Sequence, residues 1–439
     1  MSREIALDFG RSRTVVEFPD EVQVILLEPR RDPPLPDAAN AIRMALRAPI
    51  ASRPLQERAR GKKRAVVVVS DITRPIPYRT VLPPLLEELH RAGLSHEQIE
   101  ILVATGLHRS NTEKELEEML GREVVSRHLV RNHKARELSE HEYLGVTSRG
   151  TPIWIDRGFL EADLRILTGL IEPHLMAGYS GGRKALCPGL AAVETLRHAH
   201  GPAMLEDHVG PGILEGNPFH EDLIEIVERV GVDFLCDVTI DRARRVTGVF
   251  AGDAVAAHLA GCREVERQVH VPIPDPVDVV VTSAGGYPLD QTFYQSVKAL
   301  VAAMNIVRRG GTIVLLAEMA EGLGSREFGR LLAEAPSPRE FMNLIQRPDF
   351  FRIDQWMVQH LCQALRKAHV IVVTPQRRPA LGRGFAVDWV KQWPQALARV
   401  LERHGRESRW AVLPQGPYTL ATVNGVKWPL GGVGTATRS

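Results

Sequence analysis

Short, β-branched apolar runs that end in polar loops and lead into helical segments constrain this chain most. AVVVVSD at residues 65–71 is the length of one buried strand, and leucines at helical spacing follow across residues 80–92. The unit then repeats. IEILVAT reads as a strand, GLHRSN as a loop, and TEKELEEML as a helix capped by Thr112 with acidic residues in its first turn. Strands alternating with helices in this way predict a parallel sheet and an α/β fold. DLRILTGL at 163–170 supplies a further strand, and IEPHLMAGYSGGRK leaves it as a loop heading towards a helix.

Around His270 the chain turns to VPIPDP, a proline-rich break between an Arg/Glu-rich helix and a fresh strand, VDVVVTSA. A second α/β unit follows, with a helix at 293–307 and strands at 311–317 and 368–374. The expected architecture is two α/β domains with mostly parallel sheets and the active site in the cleft between them. Residues 1–268 are assigned to the first domain, completed by 406–439, and residues 273–402 to the second. The last ten residues, rich in Gly, Thr and Ser, are expected to be mobile. A chain of 439 residues, 44% of them hydrophobic, is long enough to bury two such cores.

Charge narrows the partners. The 55 basic and 53 acidic residues nearly cancel, so no overall field draws in nucleic acid or an acidic membrane, and small molecules are the expected ligands. No apolar stretch approaches the roughly 20 residues that span a bilayer. Cys187, Cys236, Cys262 and Cys362 are widely separated, without a C-x-x-C spacing, which fits a reducing cytoplasm and suggests neither a disulfide framework nor structural zinc. The N-terminus lacks the pattern of an export signal. The expected location is cytoplasmic, and a homo-oligomer is left open.

Ligands of α/β folds sit outside the carboxyl ends of strands, so the loops at those ends hold the candidate chemistry. SDITRP puts Asp71, Thr73 and Arg74 after the first strand, and ATGLHR puts His108 after the second. Arg74 offers a planar fork for a carboxylate or phosphate, and Asp71 orients that arginine or caps a turn. His108 and His174 are each suited to taking a proton from a hydroxyl and returning it, and two such bases suit a reaction that treats mirror-image substrates alike. In GYSGGRK, the glycines suit close approach to a phosphate and Lys184 follows them; the spacing is not that of a P-loop. His198 and His200 form an H-x-H pair, followed by His208, without the spacing of a zinc motif. One histidine of the pair suits a metal whose other ligands are not protein. Farther on, Tyr294, Gln295 and Lys298 follow a glycine turn, with Tyr294 and Lys298 on one helix face. Trp356 walls a pocket or belongs to the core.

In order along residues 71–200 the chain carries D-x-T-R-P, A-T-G-x-H-R, E-P-H-x-x-A-G-Y-S-G-G-R-K and K-x-x-x-P-G-x-A-x-x-x-T-x-x-x-x-H. These motifs resemble those of the nickel-pincer-nucleotide lactate racemase family, and the resemblance extends over nearly the whole chain. It implies a 2-hydroxy-acid racemase, an isomerase, acting most closely on lactate by reversible hydride transfer from the substrate α-carbon to the cofactor. That cofactor is a pyridinium-3-thioamide-5-thiocarboxylic acid mononucleotide carrying nickel, tethered to Lys184, with His200 as the protein's metal ligand. His108 and His174 would be the acid/base pair, and Arg74, Gln295 and Lys298 would hold the substrate. Asp71, Thr73, Ser180, Gly181, Gly182, Tyr294 and Trp356 would surround the cofactor. Dedicated enzymes that build and metallate the nucleotide are implied as partners. Arg183, beside the lysine, and His198, beside the metal ligand, are departures whose effects the sequence leaves open.

Competing readings are a racemase or epimerase of a larger aliphatic, aromatic, acidic or sugar-derived hydroxy acid, and a nickel or cofactor carrier without turnover. A nicotinamide dehydrogenase is disfavoured because no G-x-G-x-x-G follows a strand. A hydrolytic metalloenzyme would need more protein ligands than the chain assembles.

Overall fold

In the computed structural model, which describes residues 3–30, 32–205, 208–347, 349–379 and 381–427, the AVVVVS run is the strand Ala65–Ser70. Its five apolar side chains are fully buried, as a strand covered on both faces requires. It sits fourth in a six-stranded sheet whose order is Val246–Gly252, Phe234–Ile240, Leu164–Leu170, Ala65–Ser70, Ile99–Ala104, Leu129–Asn132. All neighbours are parallel except the outermost hairpin partner, Val246–Gly252. The helices Ala38–Arg47 and Tyr78–Arg91 pack over one face through Ile42, Leu46, Leu82 and Leu85. Thr112 caps the helix Glu113–Leu120 in a reciprocal capping box with Glu115, as its sequence predicts.

The second sheet, all parallel, runs Val387–Val390, His369–Val373, Val307–Leu316, Val277–Ser283, Arg409–Leu413, Gln23–Leu26. The predicted α/β class and two-sheet organisation therefore hold. The domain bounds do not. Gln23–Leu26 and Arg409–Leu413, expected in the first domain, form an edge of the second sheet. The hairpin of Arg3–Phe9 and Ser12–Phe18 goes with them, burying Leu7, Val16 and Phe18 against Val279, Val281 and Trp410. The reason is hydrophobic: Val279, Val281, Val314 and Val412 leave one face of that sheet apolar, and the hairpin covers it. The terminal segment does return partway, since Leu420–Val423 pairs with His270–Ile273, and Leu420 packs on Tyr179 and Val265. Residues 430–439, expected to be mobile, lie outside the described residues. No described helix is long and apolar enough to cross a membrane.

Each sheet reverses its strand order once. In the first, the chain moves outward in one direction from Ala65–Ser70 and later in the other from Leu164–Leu170; in the second, Val277–Ser283 and Arg409–Leu413 flank the reversal. At such a point adjacent loops diverge and leave a crevice at the carboxyl edge.

Phe18 tests the hairpin's place. Its ring meets Trp393 and Trp410 edge-on at 5.3 and 5.8 Å between centroids. Phe18→Ala should lower stability by about 3–5 kcal/mol in urea unfolding, whereas an effect below about 1 kcal/mol would mean the hairpin is not part of the second domain's core.

Candidate active site

The three loops at the first sheet's strand reversal converge. Asp71, Thr73 and Arg74 leave Ala65–Ser70, His108 follows Ile99–Ala104, and His174 follows Leu164–Leu170; these three strands are neighbours. Their side chains line a cavity of about 680 Å³ together with Ser180, Gly181, Lys184 and His200. From the second domain Tyr294, Gln295, Lys298 and Trp356 complete the wall. Every site residue read from the sequence lines this one cleft except Gly182.

Asp71 is nearly inaccessible and acts on the histidine rather than the arginine. One carboxylate oxygen accepts from His108 Nδ1 at 2.6 Å; the other accepts from the Thr73 hydroxyl at 2.6 Å and its backbone N–H at 3.2 Å. Burial favours the protonated acid, but the His108 charge and hydrogen bond, then Thr73 and Arg74, outweigh it and hold the carboxyl below its ordinary range. A carboxylate at Nδ1 fixes the proton there and leaves Nε2 as the basic nitrogen. His174 is set the opposite way. Its Nδ1 accepts from the backbone N–H groups of Met176 and Ala177, both at 3.1 Å, so the neutral ring carries its proton on Nε2. One histidine thus presents a lone pair at Nε2 and the other an N–H donor.

Lys184 is the second residue of the short helix Arg183–Leu186, which follows the glycine loop. Burial first, then Arg74 and Arg183, push its amine well below the usual lysine range. The same forces act on His174, where Lys184 and Lys298 add to burial, and on Lys298, brought down to about 7 by burial and Arg74. His200 caps the helix Val193–Ala199, is nearly inaccessible, and has a buried Nδ1 with no hydrogen-bond partner. Burial and Lys184 lower it to about 3, so it is a neutral imidazole. Its ring lies 4.7 Å from Trp356, whose indole N–H donates to the Tyr294 hydroxyl at 3.1 Å.

The structure resolves the two departures. His198 turns away from the cleft, its Nδ1 2.8 Å from the Thr151 hydroxyl, which in turn donates to Asp222. Arg183 is buried beneath the glycine loop, donating to the Ala177 carbonyl at 2.5 Å and lying against His258. Gly182, expected at the cofactor, does not line the cleft. Its N–H is engaged by Asp237 at 2.7 Å and a Cβ there would lie 2.6 Å from His258, so it serves the loop's seat rather than the cleft. Sequence reading missed Asp237 and His258. The signal for Asp237 was a single acid inside the apolar strand FLCDVTI. His360, also missed, lies close enough to His200 for their charges to interact.

A second cavity, about 510 Å³, opens at the second sheet's strand reversal, with Arg11, Arg13, Arg242 and Arg244 in its wall. Asp8 pairs with Arg13 and Arg242 there, and no histidine lines it. His108, His174, Lys184 and Lys298 all line the larger cleft.

Two family models match the chain, the lactate racemase N-terminal domain over residues 9–210 and the lactate racemase C-terminal domain over residues 274–420. This chain belongs to the lactate racemase family. It is a racemase, and so an isomerase. It is 34% identical over 417 residues to the lactate racemase of Thermoanaerobacterium thermosaccharolyticum, covering 94% of this chain and 97% of that one. It is 35% identical over 378 residues to that of Lactiplantibacillus plantarum, covering 85% and 89%. The lactate racemase apoprotein structure from T. thermosaccharolyticum superposes with a TM-score of 0.89 at 33% identity, over 95% of this chain and 100% of that one. A Thermotoga maritima protein, at 19% identity and TM-score 0.68 over 88% and 98% of the two chains, shares the fold. Members of this racemase family imply a cofactor.

The seat of the glycine loop gives a pH test. Burial raises Asp237 to about 7, against the Gly182 N–H and Arg183, which lower it. The folded chain therefore holds this proton more tightly than the unfolded chain, and stability falls as pH rises from about 4 to 7. Asp237→Asn, which keeps an acceptor for Gly182, should flatten that decline in denaturation curves by a few kcal/mol; an unchanged slope would remove Asp237 as its source.

Proposed function

We propose that this chain interconverts the enantiomers of a short-chain 2-hydroxy acid, lactate foremost, with a nickel-pincer nucleotide joined to Lys184. One observation carries the reading: a buried lysine amine beside Arg74 and Arg183, whose charge is disfavoured, a His200 imidazole with a buried Nδ1 that has no partner, and two histidines in complementary tautomers meet in one cleft. The donor set fits the group. A neutral amine is the form of lysine that makes a thioamide link, and a neutral imidazole is the form of histidine that ligates nickel. Lys184 would hold the nucleotide, and His200 would give the metal its protein ligand. When bound, such a group would supply hydride-transfer chemistry at the substrate's α-carbon.

The chain's own residues then handle charge and protons. Arg74 presents its fork to the substrate carboxylate, and Lys298, Gln295 and Tyr294 line the opposite wall. His108 takes the hydroxyl proton at Nε2 while Asp71 holds the ring and stabilises the imidazolium. The His108 imidazolium gives that proton back to the carbonyl oxygen as the hydride returns, while His174, a neutral ring with its proton on Nε2, donates a hydrogen bond to that oxygen and orients it. Trp356 and Tyr294, tied to each other, keep water from that side. The buried Gln295 Oε1, which has no partner in the structure, is available to a substrate hydroxyl. Enzymes that assemble and metallate the nucleotide are the partners this reading requires.

Two outcomes follow for the wall. Asp71→Asn should leave the fold intact and reduce kcat by about 10²–10⁴-fold, the range for removing acid–base assistance; near-normal turnover would mean Asp71 does not set the His108 tautomer. Lys298 is charged below about 7 and loses its proton above it. KM for lactate should therefore rise with pH through neutrality in the wild type and stay flat in Lys298→Met, and parallel profiles would exclude this lysine from carboxylate binding.

The reading as a whole is tested on protein co-produced with cofactor-building enzymes, comparing wild type with Lys184→Ala by intact mass, nickel content and interconversion of D- and L-lactate. The expected result is an adduct with about one nickel in wild type alone, and loss of racemisation in the variant. No adduct and no nickel would overturn the cofactor, as would full activity of a chain made alone. An adduct without lactate turnover would move the substrate to a larger hydroxy acid.

A further inference from the structure

At the opposite edge of the first sheet three histidines from three separate elements come together. His90 lies in the last turn of the helix Tyr78–Arg91, His96 opens the turn His96–Gln98, and His128 ends the helix Arg122–Arg127. One ring nitrogen of each lies within 4.8 Å of the others. The rings meet edge-on between His90 and His96 and between His96 and His128, with centroids 4.4 and 4.8 Å apart.

Their hydrogen bonds aim lone pairs inward. His90 Nδ1 lies 2.8 Å from the Leu94 carbonyl and His128 Nδ1 3.1 Å from the Val124 carbonyl. A carbonyl requires a donor, so both rings carry their proton on Nδ1 and leave Nε2 as a lone pair. This is the outer hydrogen bond that orients histidines on metals. His128 Nε2 faces His96 Nδ1 at 3.2 Å, so a single proton bridges that pair, and a cation could replace it. Burial first, then the neighbouring His96 and His90, lower the His128 pKa, so the ring resists a proton of its own. The Glu97 carboxylate, close enough to feel His96 and His128, adds negative charge beside the cluster, while Arg127 adds a positive one.

We propose that His90, His96 and His128 form a second metal site, for a zinc-class divalent ion bound by three imidazoles with a fourth position open to water. Three neutral nitrogens suit zinc, whose bonds of about 2.0–2.1 Å need ligand nitrogens about 3.3 Å apart. The side chains reach that spacing by a modest closure of the present triangle. The site is separate from the racemase cleft. His96 and His128 immediately precede Ile99–Ala104 and Leu129–Asn132, whereas His108 and Asp71 follow strands at their carboxyl ends. A six-residue strand separates the two edges by about 17 Å, and none of the three histidines lines the cleft. Its effect would be to tie together the helix end and the two strand entries it touches.

Full-length chain without an affinity tag, stripped with chelator, tests this with Zn2+ and with Co2+ as a visible-absorbing probe. Wild type should bind about one equivalent of either ion beyond any in the cleft, give the absorption of low-coordinate Co2+, and melt at higher temperature with Zn2+. His96→Asn and His128→Gln should each weaken that binding at least ~10-fold without altering far-UV circular dichroism or racemisation, and His200→Ala should retain it. His90→Asn, at the more accessible helix end, serves where a variant fails to fold. The absence of a bound equivalent, its persistence in the triad variants, or its loss in His200→Ala would each overturn the proposal.

Discussion

The reversal of strand order between Leu164–Leu170 and Ala65–Ser70 leaves a crevice at the carboxyl edge of the first sheet, and the reactive groups of that domain hang from its rim. The strands are buried on both faces, so their ends are fixed to within the tolerance of a packed core. Asp71 and His108 can then meet at 2.6 Å although 37 residues separate them. The second domain closes the crevice from the far side with one helix start, Phe293–Met304, and the head of another, Gln355–Lys367.

Closing such a crevice over Lys184, Lys298 and Arg74 places several cations in poorly solvated space. The chain answers this by giving up protons, since burial and mutual repulsion favour the neutral amines. Arg183 is the exception, because a guanidinium keeps its charge; it is accommodated by the Ala177 carbonyl and by nearby Asp237. The result is a cleft hungry for negative charge, which suits a phosphate-bearing group and a carboxylate substrate together. The lowered basicity of the Lys184 amine, useful for a nucleophile, follows from that electrostatics.

The chemistry of the cleft was legible where it sits in loops behind unmistakable strands. Asp71, His108 and His174 follow runs such as AVVVVS and IEILVA within a few residues, and Lys184 closes the glycine-rich loop beyond the third, so local sequence reveals both strand and loop. What could not be read is what depends on distant pairing. Gln23–Leu26 joins a strand at Arg409–Leu413, nearly the full chain away, and no local pattern announces a parallel partner at that separation. The tautomers of His108 and His174 were hidden for a similar reason, being set by an aspartate from another loop and by backbone N–H groups of a turn. Asp237, His258 and the His90, His96 and His128 group are single polar residues on separate elements, and only folding makes them neighbours.

In the proposed reaction the histidines handle only the hydroxyl proton, while the hydrogen on the substrate's α-carbon travels as hydride within the cleft. Racemisation of α-protiated L-lactate by the cofactor-loaded enzyme in D2O, followed by mass analysis of the D-lactate formed, tests this most directly. Retention of the α-hydrogen in the product is the predicted result. Incorporation of one solvent deuterium at the α-carbon with each inversion would mean that a histidine abstracts that hydrogen as a proton, and would rule out hydride transfer.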